Sequence, residues 1–233
     1  MREVPVSVEA LVFDLDDTLY PEHDFVLGGF AAAARRLEPR FSAQAVFPMF
    51  CELFAGGERR QVFDRALARL GVAARQSVVP ELLAAYRAHA PVLALHEDAD
   101  WALRHFRPTH RLGVLTDGYL TTQRNKVQAL ALAERVDAVV YSDEFGRERW
   151  KPHPFAFERM MALLHVPGPR CCYVADNPHK DFAAPRALGW NTVRIVRAGG
   201  EYAALEPPDA AHAPDVTIRS LRELPAIVAT AES

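Results

Sequence analysis

The sequence predicts an α/β fold in which a parallel sheet carries helices on both faces and is interrupted early by an all-helical insertion. Three observations lead there. Ala10 to Phe13, Arg111 to Leu115, Asp137 to Tyr141, Cys171 to Ala175 and Thr192 to Val196 are near-continuous apolar runs, as strands buried on both faces must be. From residue 99 onward such runs alternate with helical patterning, and strand–helix–strand crossovers build parallel sheets. Between residues 20 and 94, four helical stripes follow one another with no strand signal among them. The expected domains are a sheet core of residues 1–19 and 95–233 and a helical unit of residues 20–94.

In chain order, the first strand ends in Asp14, Asp16, Asp17 and Thr18, a charged tip on an apolar stem. Side chains alternate along a strand, so Asp14 and Asp16 are expected on one side and Asp17 elsewhere. Turn chemistry at Tyr20 to Asp24 precedes a helix through Phe25 and Leu37, with Asp24 or a neighbour as its cap and Pro39 near its end. Further helices are expected over Ala45 to Phe54, stopped by Gly56-Gly57; Arg59 to Leu70, stopped by Gly71; and Val79 to Ala90. Ala99 to Phe106 is helical, and the strand from Arg111 ends in Thr116-Asp117-Gly118. A helix over Tyr119 to Leu132 leads to the strand ending before Ser142-Asp143-Glu144. Pro154 suits the first turn of a helix to Leu164. The strand Cys171 to Ala175 ends in Asp176, Asp181 to Leu188 is helical, and after Thr192 to Val196 a Pro-rich loop leads to a short strand at Asp215 to Ile218 and a last helix from Leu221.

Composition narrows the function. At 233 residues the chain can bury a proper core without disulfides or structural metal. Half the residues are hydrophobic, 24% are charged, and the net charge is -3, which argues against a partner reached by phosphate neutralisation, such as nucleic acid. No run approaches the roughly 20 apolar residues of a membrane span, and the first ten residues lack the pattern of a secretion signal, so the expected location is the cytoplasm. Cys51, Cys171 and Cys172 form no metal or redox spacing and read as reduced structural residues. Of the 27 basic residues only Lys126, Lys151 and Lys180 are lysines, which draws attention to each of them. The oligomeric state is not written in the sequence.

Ligands of parallel α/β sheets bind beyond the carboxyl ends of the strands, where Asp14, Asp16, Thr116 and Asp176 are all expected. Crowded carboxylates are tolerated where a divalent cation, a lysine or a proton-transfer role requires them. Taken singly, each feature has a plainer reading: the aspartates as an acidic turn capping a helix, Thr116 as the cap of the following helix, Lys151 as a surface lysine.

Four segments in order resemble the four motifs of the haloacid dehalogenase superfamily, most of whose members are magnesium-dependent phosphatases. Asp14-Leu15-Asp16-Asp17-Thr18 is similar to the first, DxDxT; Thr116 in LTDG to the second; Lys151 in WKPHP to the third; Asp176 and Asp181 in ADNPHKD to the acidic fourth. The agreement spans residues 8 to 197, and the helical block lies where capped members carry their cap. The resemblance implies a Rossmann-like core and a phosphatase acting on a small phosphorylated metabolite through an aspartyl-phosphate. Asp14 would be the nucleophile and Asp16 the general acid and base, with a pKa raised relative to Asp14. Thr116 and the backbone N–H groups of Asp117 and Gly118 would bind phosphoryl oxygens beside Lys151. Magnesium would be held by Asp14, the backbone carbonyl of Asp16, and Asp176, with Asp181 holding a bound water. Thr18 is expected to hydrogen-bond within the first loop, and Asp17 to be structural.

Two positions depart from the pattern: Ala175 stands where the fourth motif usually has Gly, and Asp117 where many second motifs have Asn. The rival activities are a 2-haloacid dehalogenase, which needs no metal and lacks the second aspartate of DxD, a phosphomutase, for which no diagnostic motif is present, and a non-catalytic binding protein. Specificity candidates are His23, Asp24 and Phe25 at the start of the helical block, and Arg147, Arg149, Trp150, His153, Asn177 and His179 around the third and fourth motifs. Each of these also suits a solvated loop.

Overall fold

The computed structural model describes residues 7–72 and 78–228; the outermost residues of the expected core, 1–6 and 229–233, lie outside them. Strands β1 (Ala10–Phe13), β2 (Arg111–Thr116), β3 (Ala138–Tyr141), β4 (Cys171–Ala175), β5 (Asn191–Ile195) and β6 (Val216–Ile218) form one sheet in the order β3-β2-β1-β4-β5-β6, every pairing parallel. The chain grows outward from β1 first through β2 and β3, then on the other side through β4 to β6. The β1/β4 boundary is therefore the point where the order reverses and a cleft opens at the strand ends.

Strand alternation explains the two faces. Leu11 and Phe13 point to one side with Leu112, Val114, Cys172, Val174, Val193 and Ile195, beneath helices α5 (Glu97–Phe106) and α6 (Leu120–Ala129) and a 3₁₀ turn at Leu221–Ala226. Ala10 and Val12 point to the other with Leu115, Tyr173 and Ala175, beneath α7 (Phe155–Leu164) and α8 (Ala183–Ala187). A four-residue strand buried along its whole length needs no polar face, which is why the central strands read as unbroken apolar runs.

Helices α1 (Glu22–Arg36), α2 (Ala43–Ala55), α3 (Val62–Arg69) and α4 (Val78–Ala88) lie between β1 and α5 and have a core of their own. There Phe30 packs against Phe50 and Phe63 with ring centroids 5.7 and 6.1 Å apart, within the range of favourable aromatic contact. The two chain crossings to the sheet unit run side by side, His96 N–H donating to the Leu19 carbonyl at 2.9 Å. From α6, Thr122 donates to the Arg87 carbonyl at 3.2 Å and Asn125 to the His89 carbonyl at 3.1 Å, tying the end of α4 to the sheet unit.

Three local expectations are corrected. Helix α1 starts at Glu22 and is capped from a distance, the Glu22 N–H donating to Asp17 Oδ1 at 2.9 Å, instead of by Asp24. Helix α3 starts at Val62, because Glu58 accepts the Arg60 and Gln61 N–H groups and closes a turn there. The last helix is only a 3₁₀ turn: Pro225 lies inside it and supplies no N–H.

Candidate active site

Every strand that contributes to the site ends in it. Asp14 follows β1 and is fixed by its own N–H donating to the Val174 carbonyl at 2.9 Å. Lys151 reaches in from the loop before α7, its ammonium 2.6 Å from Asp14 Oδ1, 2.7 Å from Asp181 Oδ1 and 2.9 Å from the Tyr173 hydroxyl. Asp14 Oδ1 is thereby occupied, and Oδ2 has no protein partner among the described residues. Asp181 is held by the Asn177 N–H donating to Oδ2 at 3.1 Å. Asp14, Asp176 and Asp181, all buried, offer carboxylate oxygens within 4.8 Å of one another.

The electrostatics follow from that crowding. Burial pushes the Asp14 carboxyl up, against the pull of Lys151, and Asp181 adds to the rise. Burial with Asp14 and Asp181 close by lifts Asp176 well above the ordinary carboxylate range. Burial works against the Lys151 charge, yet Asp14 and Asp181 hold its ammonium protonated well above the usual lysine value.

Asp16 lies outside this trio but close enough to add to the rise of Asp14. It accepts from Lys126 Nζ at 2.6 Å and Gln123 Nε2 at 2.9 Å, both on α6, and from the Tyr20 hydroxyl. The expected ordering of the two acids is reversed. Burial alone would raise Asp16, but the Lys126 ammonium and these hydrogen bonds hold it below the ordinary value, while Asp14 is raised.

Thr116 ends β2 with its hydroxyl accepting from Gln123 Nε2 at 2.5 Å, so Gln123 joins Thr116 to Asp16. Asp117 is turned away from the cleft: its carboxylate accepts from Ser142 Oγ at 2.5 Å and from the Lys151 N–H at 3.1 Å, leaving its backbone as the group able to face a ligand. Gly118 has φ +129°, a conformation that side chains rarely tolerate, and an added Cβ would lie 3.1 Å from Gln123. Asp17, at φ 50°, joins the catalytic loop to two other segments by accepting from the Glu22 N–H and, at 2.8 Å, from the Glu201 N–H. Among the described residues the Thr18 hydroxyl has no hydrogen-bond partner, contrary to expectation. Its carbonyl is the working group, accepting from Arg197 Nη2 at 2.7 Å while Arg197 grips Asp98 through Nη1 at 2.9 and 2.7 Å.

A family model described as haloacid dehalogenase-like hydrolase matches residues 11–195. The chain belongs to this family. It is 30% identical over 226 residues to a glyceraldehyde 3-phosphate phosphatase of Methanopyrus kandleri, covering 93% of this chain and 95% of that protein. It is also 30% identical over 172 residues to a phosphoserine phosphatase of Thermus thermophilus, covering 73% and 65%. Its fold matches a 2-haloacid dehalogenase of Pseudomonas syringae (TM-score 0.65, 21% identity, 95% of this chain and 98% of that one). It also matches YfnB of Bacillus subtilis bound to magnesium (TM-score 0.66, 18% identity, 96% and 100%).

In this member of the family, the residues that sequence reasoning passed over are second partners of those it named. Lys126 and Gln123 position Asp16, Tyr173 reaches Lys151 from inside a strand, and Lys180 lies 4.0 Å from Asp117 Oδ2. All three lysines of the chain stand at the site; their rarity drew attention to Lys126 and Lys180 but carried no sign of the partners they meet.

The specificity candidates scatter. His23 lines a cavity of about 390 Å³ with Asp17, Glu22, Val26, Phe54, Arg59, Tyr86, Glu201 and Tyr202. Asp24 lines a shallow depression beside His89 and Pro91. Phe25 is buried under the Lys126 ammonium, 4.3 Å from its ring centroid. Arg147 stacks on Tyr119, Arg149 on Phe155, and the Trp150 indole N–H donates to Asp143. Asn177 and His179 shape the fourth-motif turn, the His179 N–H donating to Asn177 Oδ1 at 2.9 Å, and His153 Nδ1 accepts from the Phe155 N–H. A larger cavity, about 670 Å³, lies at the opposite ends of the strands, where Asp137 already pairs with Arg107 and Arg111. The acidic chemistry lies elsewhere.

The donor set suits a hard divalent cation. Asp14, Asp176 and Asp181 supply oxygen only, they are buried, and Asp181 Oδ1 lacks an aligned hydrogen-bond donor despite its proximity to Lys151. Three crowded carboxyl groups supply only oxygen ligands, which magnesium prefers, and a bound divalent cation would offset the burial that raises Asp14 and Asp176.

Proposed function

We propose that this chain is a magnesium-dependent phosphatase that hydrolyses a small phosphorylated metabolite through an aspartyl-phosphate on Asp14. The observation that carries the reading is the buried meeting of Asp14, Lys151, Asp176 and Asp181 at the reversal point of the sheet. The phosphatase names of the two relatives above support it.

In the first step, Asp14 Oδ2 attacks phosphorus, the bond from phosphorus to the ester oxygen breaks, and Asp16 delivers a proton to the departing oxygen. In the second, Asp16 takes a proton from water, whose oxygen attacks the same phosphorus; the Asp14–phosphorus bond breaks and inorganic phosphate leaves. A carboxylate nucleophile divides one difficult displacement into two easier ones. Lys151 orients Asp14 and balances phosphoryl charge, and Thr116 with the N–H groups of Asp117 and Gly118 receives the remaining oxygens. Asp14, the Asp16 carbonyl and Asp176 would hold magnesium, with Asp181 in support; the ion would neutralise phosphoryl charge. Asp16, held ionised by Lys126 and Tyr20 before substrate arrives, takes up a proton from solvent as the substrate binds; that proton is the one it delivers in the first step and recovers from water in the second. The helical unit, residues 20–94, serves as the cap that excludes water, and the core comprises residues 1–19 and 95–233.

Turnover of p-nitrophenyl phosphate and of a panel of phosphorylated metabolites, with magnesium and with a chelator, tests this. Magnesium-dependent release of phosphate is expected. Release of halide from 2-haloacids with no phosphatase activity would replace the reading by the dehalogenase one, against which Asp16, Asp176 and Asp181 together argue.

A further inference from the structure

The cavity lined by His23, Phe54, Arg59, Tyr86, Glu201 and Tyr202 adjoins the catalytic loop, since Asp17 and Glu22 form part of its wall. Its volume, about 390 Å³, suits a skeleton of a few carbons. Its charge is unbalanced: Asp17, Glu22 and Glu201 face a single guanidinium, Arg59. That guanidinium is already engaged, with Nε 3.0 and 3.1 Å from the two Glu201 oxygens, Nη1 on the Phe54 carbonyl at 2.5 Å and its plane 3.9 Å from the Phe54 ring centroid.

Lys180, which acts on Glu22 and Tyr202 from outside the lining, lies 4.0 Å from Asp117 Oδ2, and two further cations behind the wall are committed. Lys126 stands 4.0 Å from Glu22 but 2.6 Å from Asp16, and Arg194 donates to the Asp176 and Tyr202 carbonyls. What remains unengaged is suited to hydroxyl groups. Among the described residues neither the Tyr86 nor the Tyr202 phenol oxygen has a hydrogen-bond partner, and the one aromatic ring paired with His23 is Phe54, with centroids 6.3 Å apart. Burial, with Asp16 and Asp17 nearby, pushes Glu22 up to about 7, so it adds its full charge to the wall only above that pH, and the comparison below is made near pH 8.

We infer that this chamber selects phosphate esters whose leaving group is uncharged and hydroxylated, and turns away those bearing a carboxylate or a second phosphate. The inference rests on the phosphatase reading above and sharpens it from any small ester to one charge class. An anionic leaving group would enter a carboxylate-lined space with no unspent cation in its lining, and like charges brought together without a partner are strongly disfavoured.

The test compares kcat/KM for glyceraldehyde 3-phosphate and 3-phosphoglycerate, which share a carbon count and differ by an aldehyde against a carboxylate. Glycerol 3-phosphate serves as a second neutral ester, p-nitrophenyl phosphate as the control for turnover. The neutral esters are expected to be favoured by about tenfold or more, a gap that narrows as salt screens the charges. Glu201→Gln, which also frees Arg59, is expected to shrink the gap several-fold. Glu22→Gln leaves the Arg59–Glu201 pair intact and is expected to do so independently. Equal or faster hydrolysis of 3-phosphoglycerate, with p-nitrophenyl phosphate turned over normally, overturns the inference and leaves the phosphatase reading standing. A gap that neither variant changes overturns the assignment to these carboxylates. Failure to hydrolyse any ester with magnesium present removes both.

Discussion

Replacing Lys151 by Met tests how the acidic cluster is held together. The ammonium has no solvent exposure and lies within 2.9 Å of three oxygen partners, on Asp14, Asp181 and Tyr173. Removing one partner of a buried ion pair costs about 3–5 kcal/mol, because the abandoned charge keeps its desolvation penalty. With a urea m-value of about 2–3 kcal/mol/M, the unfolding midpoint should fall by about 1–2.5 M. The sign of the pH dependence follows from the raised carboxyls. Groups with a folded pKa above the unfolded value of about 4 stabilise the fold below that value and lose the contribution as pH rises through the folded pKa. Without Lys151, Asp14 rises further, so the deficit should be largest near pH 8 and shrink towards pH 4, where the folded-state carboxyls are protonated and the unfolded ones are about half so. Magnesium should recover part of the loss at high pH by binding the folded state alone. Urea unfolding near pH 8 and pH 4, with magnesium and with chelator, measures this. A loss below about 1 kcal/mol, or one independent of pH, would refute the reasoning.

Asp14→Asn should abolish turnover while circular dichroism and the unfolding midpoint show an intact fold; substantial residual activity would count against Asp14 as nucleophile. Lys126→Met should destabilise the protein near pH 7, where Asp16 loses the partner that lowers its pKa, and the deficit should fade as pH drops through the carboxylate range; equal deficits at both ends would deny the pairing its role. Gly168→Ala would set a Cβ 2.2 Å from the Leu188 carbonyl oxygen, a backbone atom that cannot swing aside. A cost of about 1–3 kcal/mol is expected in denaturant unfolding with kcat little changed, and a neutral effect would show that the turn at 188–190 yields.

How far the chain could be read depended on whether a feature was local. Cys171–Ala175 spans the same residues in sequence pattern and in structure because a strand buried on both faces needs only an unbroken apolar run. Asp14, Thr116 and Asp176 were expected at strand ends, and the parallel sheet brings them to one edge. The partners were less legible. Lys126 and Gln123 lie on a helix whose stripe tells which face is buried, but not that two polar residues turn to meet Asp16 more than 100 positions earlier. Tyr173 read as one more apolar strand residue, since periodicity carries no record of where a hydroxyl ends. The cap of α1 was not legible either, because Asp17 supplies from five residues away what a local aspartate was expected to give.

The central claim is that a carboxylate takes the phosphoryl group before water does. Acid-quenching the enzyme during turnover of a phosphate ester, reducing the acyl phosphate with borohydride and mapping the modified peptide by mass spectrometry tests it most directly. Conversion of the aspartate at position 14 to homoserine, dependent on substrate and absent in the Asp14→Asn variant, is the predicted result. Rapid turnover with no modification there, or modification of a different carboxylate, would contradict it.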